Sequence, residues 1–151
     1  AVDWSLVTVA GHSQGAGHSG FIAKLRDVNR VVMFSGPGDP GASWVDLPNV
    51  TAPARMFGFT HTADNLAPLD VVTRSWDGLE LDLFGAAASV DGANPPFGGS
   101  HQLLTSAAPN PNPTGPSASP THGAPVVDAV TPRDAMGRPV FEPVWDFIAF
   151  P

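Results

Sequence analysis

The sequence predicts an α/β fold, a mostly parallel sheet with helices on both faces. Three short apolar runs, residues 6–10, 31–34 and 55–60, are evenly spaced, rich in β-branched or aromatic residues and mostly bounded by Gly or Pro, as strands are. Their apolar character is continuous rather than alternating, which suits strands covered on both sides. Between them apolar residues recur at helical spacing, and strands alternating with helices imply parallel pairing.

Each element follows in order. Residues 6–10 (Leu-Val-Thr-Val-Ala) form the first strand. In residues 14–28, Phe21, Ile22, Leu25 and Val28 share a helical face, so this segment and the strand at 31–34 complete a strand-helix-strand unit. After the third strand at 55–60, Leu69, Val72, Trp76 and Leu79 step by three and four, predicting an amphipathic helix that opens near Pro68. A fourth strand is placed within 83–90, and a short apolar helix after Ser100. Residues 107–125 hold six prolines among Asn, Ser, Thr and Gly and read as a proline-rich surface loop. Residues 125–128 read as a short edge strand, and in 141–150 Phe141, Val144, Trp145 and Ile148 mark a last helix docked on the sheet.

Composition narrows the function classes. The chain has 151 residues, material for one domain. Fourteen acidic residues against seven basic ones give a net charge of −7, which disfavours nucleic-acid and anionic membrane partners. No apolar run reaches the roughly 18 residues of a membrane span. Zero cysteine removes disulfides, thiolate metal sites and a cysteine nucleophile. Low lysine content and the proline-rich loop lean towards an exported, secreted or periplasmic protein.

The chemistry centres on Gly11-His12-Ser13-Gln14-Gly15, a G-x-S-x-G set directly between a strand and a helix. A nucleophile elbow needs that context: a buried strand, a turn so tight that flanking side chains must vanish, and a helix that starts at once. The bland alternative is a strand-to-helix turn with Ser13 as N-cap. With Gly11 and Gly15 in place, the sequence resembles the α/β-hydrolase superfamily of serine hydrolases, in particular an esterase or lipase-like subgroup.

The resemblance implies that the four strands match the family's strands five to eight, so residues 1–151 form the C-terminal portion of a single α/β-hydrolase domain. The chain starts at Ala1 and runs straight into a strand, as a piece cut from something longer would. The missing N-terminal half is then the expected partner, and the outer edge of the first strand should be bare. The implied activity is cleavage of a carboxylic ester by an acyl-enzyme route, with a small-molecule ester as substrate and neither cofactor nor metal.

In the family the acid follows the strand equivalent to the third one here, which points to Asp64 between a strand end and the Pro68 helix; Asp39 after the second strand is the alternate. The histidine follows the last strand. His101, after a glycine turn, is preferred, and His122, beyond the proline-rich loop, is the alternate because it hangs from a segment that looks floppy. Ser13 is then nucleophile, Asp64 acid and His101 base, with the Gln14 backbone N–H as one oxyanion donor. His12, His61 and Trp44 are candidate pocket residues.

Two other readings stay open. Gly15-Ala16-Gly17-His18-Ser19-Gly20 matches the dinucleotide fingerprint G-x-G-x-x-G and would suit a nucleotide-binding oxidoreductase, but four residues separate it from the strand it should follow. A non-catalytic α/β-hydrolase-like module is the third class. For metals, only His61 and Asp64 show close spacing, and they lie in a loop.

Overall fold

The computed structural model describes residues 1–111 and 119–150. In chain order the elements are β1 (Thr8–His12), α1 (Gln14–Leu25), β2 (Arg30–Phe34), β3 (Met56–His61), α2 (Leu69–Gly78), β4 (Ala88–Ser89), β5 (Gln102–Thr105), α3 (Pro120–Gly123) and α4 (Glu142–Ala149), with short 3-10 turns between some of them. The strands lie in one sheet in the order β1-β2-β3-β5-β4, and every pairing is parallel. This is an α/β fold.

The period-two alternation of the strands sorts the core into two layers. Val31 and Met33 of β2 and Met56 of β3 pack with Ala16 and Ala23 of α1 and with Val72 and Trp76 of α2. On the other face Val32, Phe34, Phe57, Phe59 and Leu103 pack with Val144 and Ile148 of α4. Helices therefore cover both faces, as the unbroken apolar runs require. Gly58 sits where α2 comes closest: a Cβ there would lie 2.1 Å from the Trp76 ring. With no side chain in the way, the indole settles fully buried against β3 and donates its N–H to the Gly36 carbonyl at 2.9 Å. Across the sheet, Arg30 ties β2 to α4 by donating to the Phe147 carbonyl at 2.7 Å, with its guanidinium 5.0 Å above the Phe57 ring.

Three sequence expectations are corrected. The fourth strand expected within 83–90 is there as the two-residue edge strand β4, but the short helix expected after Ser100 is a fifth strand, β5, which fills the inner position beside β3. The four residues of β5, of which only Leu103 and Leu104 are apolar, carry too little periodicity to separate strand from helix, and Leu103 gains full burial by pairing with Phe59. Residues 125–128 are turns instead of an edge strand, because the N–H groups of Val126 and Val127 donate back to the Gly123 carbonyl. The proline-rich loop is not surface chain throughout: residues 112–118 lie outside the described residues, but Ser119, His122, Gly123 and Ala124 are buried.

β1 ends the sheet, and among the described residues its outer edge pairs with no strand. Val2 and Leu6, just before it, are 65% and 80% exposed. No helix among the described residues is long and apolar enough to cross a membrane.

Candidate active site

Parallel strands place their C-terminal ends along one rim, and the loops that leave that rim carry the chemistry. β1 ends in the tight turn its glycines allow. A Cβ on Gly11 would lie 2.0 Å from the Gly15 carbonyl oxygen, so strand and helix can cross only without one. Ser13 is held at φ 58° and ψ −121°, a left-handed conformation costly for a residue with a side chain. Its N–H donates to the Phe34 carbonyl at 2.9 Å and its carbonyl accepts from Ala16 at 2.9 Å, which fixes the turn on both sides. Its hydroxyl makes no cap hydrogen bond to α1, so the N-cap alternative finds no support. The N–H of Gln14 stands at the first position of the helix, where backbone donors lack an intrahelical acceptor.

Past β3 the chain turns at Asp64. Its Oδ1 accepts from the N–H groups of Leu66 and Ala67 at 2.9 and 3.0 Å, and its Oδ2 meets Nδ1 of His122 at 2.7 Å. The carboxylate is completely enclosed and the imidazole nearly so. With Nδ1–H donated to a carboxylate, Nε2 is left as an acceptor, the state in which an imidazole can take a proton from a hydroxyl. His122 and Ser13 line one cavity of about 220 Å³, together with Gln14, Ser35, Asp39 and Leu66. Ser13 Oγ is not hydrogen-bonded to the ring; such bonds are often long in unliganded sites and close with substrate.

The segment carrying His122 is pinned where the sequence suggested slack. Its carbonyl accepts two hydrogen bonds, from Ser35 Oγ at 2.7 Å and from His12 Nε2 at 2.9 Å, and the His12 and His122 rings lie 4.7 Å apart. The Ser119 hydroxyl donates to Asn65, the residue after Asp64. Ser35, Asn65 and Ser119 were not among the sequence candidates. A serine before Gly-Pro at a strand end has no motif that announces its role.

The preferred base from sequence, His101, is corrected by its position. It precedes β5, where its carbonyl accepts from Gly58 and its Nδ1 meets the Met56 carbonyl at 2.9 Å. That is the N-terminal end of β3, and a six-residue strand spans roughly 17–20 Å. His101 therefore lies at the opposite rim from Ser13, stacked between Phe57 and Phe84 with centroids 4.1 and 3.8 Å away. Burial pushes its imidazole below the ordinary histidine range, against the pull of hydrogen bonds to Met56 and Pro53 and with help from Arg30.

Of the remaining candidates, Asp39 lines the Ser13 cavity, but the carboxylate hydrogen-bonded to the His122 imidazole is that of Asp64 and not of Asp39. His61 is locked away from that cavity: Nδ1 accepts from the Ala63 N–H and Nε2 donates to the Ala107 carbonyl. Trp44 lines an adjoining cavity. The glycines of the 15–20 segment fall inside α1, and not in the strand-to-helix turn where a nucleotide phosphate would sit. Among the described residues no three His, Asp or Glu side chains cluster.

No family model, curated protein or solved structure matches the chain. Its functional reading rests on the geometry of this rim.

Proposed function

We propose that the chain is a serine hydrolase of α/β-hydrolase type that cleaves a carboxylic ester, with Ser13, His122 and Asp64 as its triad. The observation that carries this reading is the buried Asp64–His122 pair, whose imidazole lines the same cavity as a serine in strained backbone at a strand-to-helix turn.

In the proposed reaction Ser13 Oγ attacks the ester carbonyl carbon while its proton passes to His122 Nε2. Asp64 keeps the imidazole in the required tautomer and stabilises its cationic form. The developing oxyanion accepts from the Gln14 N–H, assisted by the positive end of α1, and from a second donor outside the described site. Collapse breaks the ester C–O bond, and the imidazolium returns the proton to the departing alcohol. Water activated by the same nitrogen then attacks the acyl-enzyme and frees the acid and Ser13. The unpaired edge of β1 beside exposed Val2 and Leu6 supports the further reading that strands equivalent to one to four complete the sheet and supply that second donor.

A fluorophosphonate probe tests the reading directly. The intact natural protein is expected to carry one adduct on Ser13, absent in Ser13→Ala; labelling that survives in the mutant, or none in the wild type, removes the proposal. A folded, unlabelled protein would favour the non-catalytic module.

A further inference from the structure

Asp39 is left without a task by this triad, although it faces the same cavity as Ser13. It also borders a second cavity of about 240 Å³ lined by Gln14, Gly17, His18, Phe21 and Trp44. Gln14 and Asp39 belong to both cavities, so the two adjoin. Among the described residues the Asp39 carboxylate has no hydrogen bond and no ion pair. The side chain is exposed, and its Oδ2 comes close to α1 at Gly17, where a Cβ would lie 3.0 Å away.

The aromatic wall is placed in the same way one turn further along. The edge of the Trp44 ring comes within 3.2 Å of where a Cβ on Gly20 would stand. Phe21 meets that ring edge-on, with centroids 6.1 Å apart and planes at 70°. Trp44 is half-buried and Phe21 is 38% exposed, so both rings retain open surface. Gly17 and Gly20, two glycines of the segment that mimics a dinucleotide fingerprint, thus give a carboxylate and an indole close seats on α1.

We infer that the Asp39–Trp44–Phe21 cavity is a subsite for an ammonium-type cation on the substrate, next to the scissile ester. A free carboxylate supplies the counter-charge, and the indole and phenyl rings supply π-faces that attract a cation while shedding water from its alkyl groups. A neutral substituent would gain only the apolar contact, and an anionic one would meet Asp39 in a chain of net charge −7. This inference rests on the proposed ester hydrolysis for its chemical setting, but binding of the cation does not require turnover.

The experiment therefore has two arms. In the intact protein carrying Ser13→Ala, tetramethylammonium is titrated while the Trp44 indole N–H is followed by NMR. A saturable shift with a Kd of about 10 mM is expected, weakened about fivefold by Asp39→Asn. In the active protein, a 2-(trimethylammonio)ethyl ester is compared with its neutral 3,3-dimethylbutyl isostere carrying the same acyl group. The cationic ester is expected to lead by about tenfold in kcat/KM at low salt, and Asp39→Asn and Trp44→Leu each to reduce that ratio by about three- to fivefold.

Absence of a saturable shift, or a wild-type ratio near one, overturns the subsite while leaving a labelled Ser13 untouched. A shift that depends on Asp39 in a protein that no fluorophosphonate labels keeps the cation site and removes the hydrolase reading.

Discussion

His122 and His101 are both nearly buried imidazoles, 7% and 9% exposed, and they occupy opposite rims of one sheet. At His122 the Nδ1 partner is a carboxylate and the rest of the ring borders a cavity shared with a serine. At His101 the Nδ1 partner is a neutral carbonyl, and phenyl rings close both faces. The two sites separate what a buried histidine is for. A carboxylate can stabilise the charged imidazole that a proton transfer creates, whereas a carbonyl between two phenyl rings favours keeping it neutral. Depth alone does not distinguish them; the charge of the partner and access to a cavity do.

The largest test of this contrast exchanges the roles. Under the proposed mechanism His122→Ala should lower kcat on a short p-nitrophenyl ester by about 10⁴- to 10⁶-fold, and Asp64→Asn by about 10⁴-fold, because the imidazole loses its tautomer control. His101→Gln should cost stability of about 1–3 kcal/mol through the lost stacking, and the folded fraction should still turn over. Steady-state kinetics with a parallel melt checks both. Loss of turnover in the folded His101 variant, with His122→Ala active, would overturn the assignment.

A smaller effect is expected at the support of the His122 loop. Ser35→Ala removes one of two hydrogen bonds to the His122 carbonyl and leaves the one from His12. The imidazole should then wander by a fraction of an ångström, lowering kcat by about tenfold while KM holds. A drop in KM and kcat together, or none, would mean that Ser35 only fills space.

How much of this was legible in the sequence follows from the range of each interaction. The turn around Ser13 is local: five residues contain both the glycines that permit it and the side chain it presents. Asp64 is nearly local, because a strand end and Pro68 bracket the turn it caps. His122 is not local. Its bond to Asp64 spans 58 residues, and the prolines before it argued for slack where Ser35, His12 and the Asn65–Ser119 contact in fact hold the chain. β5 escapes the sequence for a related reason: a four-residue segment with only Leu103 and Leu104 apolar takes its conformation from pairing along β3 and not from its own pattern. Asp39 reads from the sequence only as the alternate acid, and its place beside Gly17 and Trp44 depends on contacts that no spacing reveals.

The smallest expected effect sharpens the contrast from the side of stability. Burial holds the His101 imidazole below its ordinary value, so the folded protein resists taking up a proton there that the unfolded chain accepts at about pH 6.5. The unfolded state then binds more protons over that interval, and stability rises with pH across it. The contribution is intact above about pH 6.5 and is lost as pH falls below it, by at most about 1.4 kcal/mol per unit, until the folded group itself titrates. Wild type and His101→Gln, compared by urea denaturation between pH 8 and pH 5, should differ in slope, with the wild type losing more on acidification. The Gln side chain can still donate to the Met56 carbonyl but has no proton to gain, so the difference isolates the imidazole. Parallel slopes would mean that the pocket of Phe57 and Phe84 admits the charged ring, and the two histidines would then differ only in what they face.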